Sequence, residues 1–200
     1  MLLAAGRSTR MGAFKPLLPF GKSTVIENSI AYLRGAGLKE IIVVLGHRAA
    51  ELKNRLRFPD LRFAVNPDPE SGMSASIACG IRQVAPDACA VLIALVDHPA
   101  VSSELIGNLI REWRSGEKLI IPEFEGRGGH PVLIDLSFRD ELLNLDANSG
   151  LRSFFEQHRQ YTRRLPVSCP FIARDLDTWD DYQALHEEVF GVLPRIKESK

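Results

Sequence analysis

Two unbroken apolar runs, Ile41-Ile42-Val43-Val44-Leu45 and Ala90-Val91-Leu92-Ile93-Ala94-Leu95-Val96, constrain this chain more than any other feature. A strand with one wet face alternates apolar and polar residues. A strand that does not alternate must be covered on both faces, which is the signature of a parallel sheet between helical layers. Helical periodicity falls between the runs. Val25, Ile26, Ile30 and Leu33 recur at helical spacing behind a capping Thr24, and the pattern stops near Gly35 and Gly37. Further helices are expected over about Ala49 to Leu56, Ser74 to Val84 and Ser102 to Arg114, with a short strand at Phe63 to Val65. Strand–helix repeats of this length wind right-handed into a doubly wound α/β layer.

Beyond Arg114 the pattern loosens. Leu119 to Ile121 and Pro131 to Ile134 read as strands around a glycine-rich turn, Phe138 to Leu145 and Ser149 to His158 as helices. Ile172 to Leu176 reads as the final strand, followed by a helix capped by Thr178 and running to about Phe190. Nothing resembling a linker or repeat divides the 200 residues, so one domain over 1–193 with a charged tail over 194–200 is expected. The nine-residue apolar run from Ala88 to Val96 is too short to span a bilayer, which takes about 20 residues. The first Arg follows the apolar start, the wrong order for a signal peptide. Cys79, Cys89 and Cys169 are widely spaced without a CxxC, so a disulfide scaffold and a zinc ribbon are both poor fits. A cytoplasmic protein, with no membrane partner, is the expectation.

Charge is zero overall but unevenly placed. Residues 1–65 hold eleven Lys/Arg against four Asp/Glu, and residues 66–200 hold fourteen against twenty-one. A basic first half suits phosphates and an acidic second half suits a divalent cation, although solvated helix faces can segregate by sign as well. Nucleic acid is a weaker partner, since no compact basic run exists. The opening segment, Leu3-Ala4-Ala5-Gly6-Arg7-Ser8-Thr9-Arg10-Met11-Gly12, leaves the first strand with small residues, hydroxyls and two arginines. Small side chains let backbone approach a ligand, successive N–H groups form an anion-binding concavity, and Arg10 and Lys15 add charge. This is neither a GxGxxG fingerprint nor, at Gly21-Lys22-Ser23-Thr24, a P-loop; the latter reads as a turn and helix cap. Asp97 directly follows the strongest strand, at the carboxyl end where open α/β sheets hold ligands. Its bland reading is a carboxylate ahead of the helix at Ser102. The histidines His47, His98, His158 and His186 show no HxxxH spacing, which argues against zinc.

Leu3-Ala4-Ala5-Gly6-x-Ser8-x-Arg10-Met11-Gly12-x-x-Lys15-Pro16-Leu17-Leu18-Pro19 resembles the signature loop of nucleotidyltransferases that transfer a nucleoside monophosphate from its triphosphate. Within that superfamily the chain is similar to the molybdenum-cofactor branch, specifically the molybdopterin cytidylyltransferase-like proteins. The matches continue through Asn66-Pro67-Asp68, Gly72-Met73-Ser74-x-Ser76, Leu95-Val96-Asp97-His98-Pro99, Gly129-His130-Pro131-Val132-Leu133 and Arg174-Asp175-Leu176-Asp177-Thr178. Family members usually begin several residues before the position of Met1, so the first strand is expected to be short. The resemblance implies the fold of the nucleotide-diphospho-sugar transferases, a Rossmann-like, mostly parallel sheet with a small antiparallel extension.

It also implies roles. Arg10, Lys15 and Asp97 would be catalytic. Leu3, Ala4, Ala5, Gly6, Arg7 and Ser8, with Lys15, Gly46, Asn66, Gly72 and Ser74, would hold the nucleotide. For Ser74 and its neighbours, plain helix capping is an equal reading. His130 would face the acceptor. Asp97 and Asp175 would hold Mg²⁺, with Asp177 the alternative to Asp175. Guanylyltransferase cousins carry a glycine-richer loop and an acidic residue before the lysine; Ala5 and Phe14 here lean toward CTP over GTP. The expected reaction is transfer of CMP from CTP to the phosphate of molybdopterin, releasing pyrophosphate. Another phosphorylated acceptor, or a non-catalytic nucleotide- or cofactor-binding accessory to a molybdenum oxidoreductase, stands as the alternative.

Overall fold

A computed structural model describes residues 1–8 and 11–194. In chain order the strands are β1 (Leu2–Ala4), β2 (Pro19–Phe20), β3 (Ser23–Thr24), β4 (Ile41–Leu45), β5 (Leu61–Val65), β6 (Ala90–Leu95), β7 (Leu119–Phe124), β8 (Arg127–Gly128), β9 (Val132–Asp135) and β10 (Thr162–Pro166). The helices are α1 (Val25–Gly35), α2 (Ala49–Arg55), α3 (Gly72–Ile81), α4 (Ser103–Arg114), α5 (Arg139–Leu143), α6 (Gly150–Gln157) and α7 (Trp179–Phe190). The main sheet runs β10-β7-β9-β6-β1-β4-β5, with β8 paired to β7. From β5 to β6 every pairing is parallel, whereas β9 runs antiparallel to both β6 and β7. A separate hairpin joins β2 to β3. The result is the mostly parallel α/β sheet with a small antiparallel part that the apolar runs imply.

Strand parity explains the two layers. Alternate side chains of a strand point to opposite faces. Leu2, Ala4, Ile41, Val43 and Leu45 pack under α1, α2 and α4, where Ile26, Ile30, Leu52, Ile106 and Leu109 are buried. Leu3, Ile42, Val44, Ile93 and Ile134 pack on the other face, against Ile77 and Ile81 of α3, Leu142 of α5 and Phe154 of α6. A third cluster lies outside the sheet. Met11, Leu18 and Phe20 meet Leu176, Tyr182 and Leu185 there, so α7 clamps the hairpin and the loop that precedes it.

The capping residues act as their sequence suggests. Thr24 and Glu27 form a reciprocal capping box, as do Thr178 and Asp181. Ser102 accepts the Leu105 N–H at 3.1 Å. One element is corrected. Ile172–Leu176 is not a strand: residues Pro170–Ala173 form a 3₁₀ turn, and the last strand is β10. The backbone of that segment bonds to loops, with His130 N donating to Ile172 O at 2.7 Å and Leu176 N to Asp97 O at 3.3 Å. No ladder partner is left for it.

Candidate active site

The carboxyl ends of β1, β4 and β6 open on one side of the sheet, and the loop after β1 folds back over them. Ser8 adopts a left-handed backbone (φ 55°), a conformation that few non-glycine residues hold. Its Oγ accepts the Lys15 N–H at 3.3 Å, and its carbonyl accepts the Met11 N–H at 3.3 Å. These two bonds tie Ser8 to Met11 and to Lys15, which starts a 3₁₀ helix (Lys15–Leu17). Opposite it, Gly46 directly follows β4. A Cβ there would stand 2.6 Å from Ala5 O and 2.9 Å from Pro69 Cγ, so only glycine lets these three segments meet.

A cleft of about 320 Å³ lies between them, lined by Leu3, Ala5, Gly6, Ser8 and Lys15 on one side and by Leu95, Val96 and Asp97 at its floor. Pro69, Gly72, Met73 and Ser76 close the far wall. The N-terminus of α3 thus faces the cleft, which favours an anion there.

Lys15 is buried, and its Nζ lies 3.3 Å from Asp177 Oδ1 and 3.9 Å from Asp97 Oδ2. Asp97 is held at the end of β6 by neighbouring bonds, His98 N to Leu95 O at 3.3 Å and Asn28 Nδ2 to Pro99 O at 2.6 Å. His98 Nε2 reaches Asp175 Oδ1 at 2.6 Å and stands 3.8 Å from Asp97 Oδ1. One ligand atom each from Asp97, His98 and Asp175 lie within 4.8 Å of one another. Two carboxylates at such spacing, with an imidazole beside them, form a site that a divalent cation fits.

The two carboxyls are tuned in opposite directions. Burial pushes Asp97 above the usual carboxylate range, against the pull of His98 and Lys15. The hydrogen bond from His98 holds Asp175 below that range. A cation would relieve the first and exploit the second.

Beside this cleft lies a larger one, about 910 Å³, between β7, β9, β10 and α6. His130 lines it, together with Phe155 and the arginines Arg152, Arg159, Arg163 and Arg164. The His130 ring packs edge-on against His98 with centroids 5.9 Å apart, so one histidine pair separates the carboxylate cluster from the second cavity. Burial, reinforced by His98, lowers the His130 imidazole to about 4, and the ring is neutral at physiological pH. Gly129 is what allows this loop to seat: a Cβ there would fall 2.1 Å from Ile172 O.

The structure brings together Leu3, Ala5, Gly6, Ser8, Lys15, Gly72 and Asp97, with Asp175 at the cluster's edge. Other residues expected at a nucleotide site stand apart from this cleft. Ala4 points into the opposite layer by strand parity. Gly46 supports Ala5 from behind. Arg7 extends to an ion pair with Glu70 at 2.7 Å. Asn66 is buried and donates to Ser76 Oγ at 3.0 Å, which makes it a brace for α3. Ser74 donates to Asp146 O at 2.9 Å, while Ser76, one half-turn on, lines the cleft. Arg10 lies outside the described residues. Asp177, the alternative second carboxylate, pairs with Lys15. His98 is the residue that sequence spacing misses: its partner Asp175 is 77 positions away, so no local pattern marks it. Its adjacency to Asp97 was the available signal.

The MobA-like NTP transferase domain matches residues 1–162. The chain belongs to this family. Among curated relatives, this MobA-like protein is 31% identical over 192 residues to nicotine blue oxidoreductase of Paenarthrobacter nicotinovorans, covering 89% of this chain and 91% of that one. It is 25% identical over 183 residues to the molybdenum cofactor cytidylyltransferase of Escherichia coli, covering 91% and 92%. Of solved structures, Rv0371c of Mycobacterium tuberculosis superposes with a TM-score of 0.84 at 30% identity, covering 93% of this chain and 95% of its own. That protein has also been solved in complex with manganese, where the TM-score is 0.79 at 28% identity over 93% and 96% of the two chains. Among the described residues no helix is long and apolar enough to cross a membrane.

Proposed function

We propose that this MobA-like protein transfers CMP from CTP to the phosphate of a molybdopterin-type acceptor. The carrying observation is the junction of a backbone-lined cleft with a buried Lys15, two carboxylates and, across His98 and His130, a separate cavity large enough for a second substrate. The loop from Leu3 to Ser8 lies along the triphosphate, with N–H groups and the α3 N-terminus supplying donors. Lys15 places a compact positive charge where negative charge grows on the transferring phosphoryl group. Asp97 and Asp175 would hold Mg²⁺, which would draw off the negative charge that develops on the transferring phosphoryl group.

The acceptor phosphate enters from the second cavity past His130. Its oxygen forms a bond to the α-phosphorus, the bond from that phosphorus to the bridging oxygen breaks, and pyrophosphate leaves. The residues of this chain position and neutralise; none forms a covalent intermediate.

CTP is favoured over GTP because the loop carries Ala5 and Phe14 in place of the extra glycine and the acidic residue of the guanylyltransferase pattern. The test is pyrophosphate release on incubation with each of four nucleoside triphosphates, Mg²⁺ and molybdopterin. Release with CTP that requires both acceptor and cation supports the reading. Faster release with GTP reverses the base assignment. No release with any nucleotide, alongside turnover of a redox substrate, supports instead the reading that the oxidoreductase relative raises.

A further inference from the structure

His98 is nearly inaccessible, its side chain 4% exposed, and none of the roles above uses it. Its two ring nitrogens are unequal. Nε2 lies 2.6 Å from Asp175 Oδ1, whereas the buried Nδ1 has no hydrogen-bond partner among the described residues. A proton on Nδ1 would be a buried donor without an acceptor, the expensive kind of unsatisfied group. A proton on Nε2 is spent on the bond to Asp175, and only a bare lone pair remains at Nδ1. The neutral tautomer that the surroundings favour is therefore the one that donates to Asp175.

That bond falls on a carboxylate that needs it. Asp175 sits in irregular chain between the 3₁₀ turn at Pro170–Ala173 and α7, with its side chain 58% exposed. Neither a helix nor a strand fixes its rotamer, and an exposed carboxylate must give up that freedom to bind a cation. His98 is itself immobilised, packed edge-on against His130 and joined to the strand end through His98 N and Leu95 O at 3.3 Å.

We propose that His98 is a positioning residue of the cation site, whose Nε2–H holds Asp175 Oδ1 and leaves Asp175 Oδ2 and the Asp97 carboxylate to take the ion. The imidazole does not ligate. Ligation through Nε2 would break the bond to Asp175 and move the proton to the unpartnered Nδ1, whereas a ligating histidine ordinarily donates its other N–H to an acceptor. This inference rests on the assignment of Asp97 and Asp175 to a divalent cation.

Mn²⁺ titration of the full chain by electron paramagnetic resonance tests it, with H98Q, H98L and H98N compared and each variant's fold checked by thermal melt. The glutamine amide nitrogen reaches about as far as Nε2, so H98Q retains Mn²⁺ affinity to within about threefold. H98L has no donor and H98N stops at the Nδ1 position, so both lose about 10- to 100-fold, the usual range for removing a group that orients a ligand. H98N carries the comparison if the leucine variant does not fold. Pulsed spectra of the wild type lack the nitrogen coupling of a directly bound imidazole. That coupling, with H98Q as weak as H98N, would overturn the proposal in favour of a ligand. Equal affinity in every variant would overturn it in favour of mere packing. A wild-type chain that binds no Mn²⁺ contradicts the cation assignment, and the inference falls with it.

Discussion

The sheet has two halves that solve different problems. From β5 to β6 it is strictly parallel, and the cleft grows out of strand ends whose positions the core fixes on both faces. From β9 to β10 it is mixed, with a 910 Å³ cavity lined by glycines, His130 and arginines on an edge strand and helix. A parallel half gives every strand end to the same side, which concentrates backbone donors and Asp97 at one crevice. Reversing β9 instead brings the Gly129–His130 turn to the crevice from the opposite direction. On the proposed reading, holding the triphosphate sits on the rigid half, and acceptor choice falls to the half built from loops and an edge.

If that division is right, substitutions in the first half abolish chemistry without unfolding the chain. The largest effect is expected for Asp97→Asn, with kcat/KM down by about 10³ or more, because cation binding depends on an anionic oxygen. Burial already disfavours the Asp97 charge in the folded state, so denaturant stability at neutral pH should hold or rise slightly. A variant destabilised yet fully active per folded molecule would break the comparison at its centre. Next is Lys15→Ala, expected to lower kcat/KM by roughly 10², with Lys15→Arg an incomplete rescue, since a planar fork does not replace a compact charge. Pyrophosphate release unchanged in the alanine variant removes Lys15 from the site.

Substitutions in the second half should do the reverse. Gly129→Ala forces a Cβ to within 2.1 Å of the Ile172 carbonyl, and a loss of about 2 kcal/mol in denaturant unfolding is expected. CTP binding per folded molecule should survive it, whereas the acceptor KM should rise. A smaller effect comes from His130. Its folded imidazole is depressed to about 4, below the ordinary 6.5 of the unfolded chain. Between those values the unfolded state binds the extra proton, so stability is lost as pH falls from about 6.5 toward 4. The loss should be about 1–2 kcal/mol, allowing for the partial exposure of the ring, and His130→Gln should flatten that part of the stability–pH profile. An unchanged profile would mean that His130 titrates normally and the wall between the cavities is wet.

The same division governs how much could be read from the sequence. The parallel half was legible because unalternated strands such as Ile41–Leu45 and caps such as Thr24 and Ser102 act locally. Asp97 was legible for the same reason, as the first polar residue after a buried run. The mixed half was not. Thr162–Pro166 carries no apolar pattern that marks a strand, because this edge strand keeps its arginines exposed and is held by backbone pairing to β7. Ile172–Leu176 reads as a strand, yet its N–H and C=O groups serve the His130 and Asp97 loops. His98 and Asp175 meet only through the tertiary fold, so no spacing rule finds them.

Hydrogen–deuterium exchange with and without CTP and Mg²⁺ tests the division most directly. The expected map shows protection over Leu3–Ser8, Lys15–Leu18, the start of α3 and the end of β6, with residues 126–134 and 150–164 protected only when molybdopterin is added under conditions that block turnover. Protection of residues 126–164 by CTP alone, with the loop after β1 left exchanging at its free rate, would contradict the assignment of the parallel half to the nucleotide.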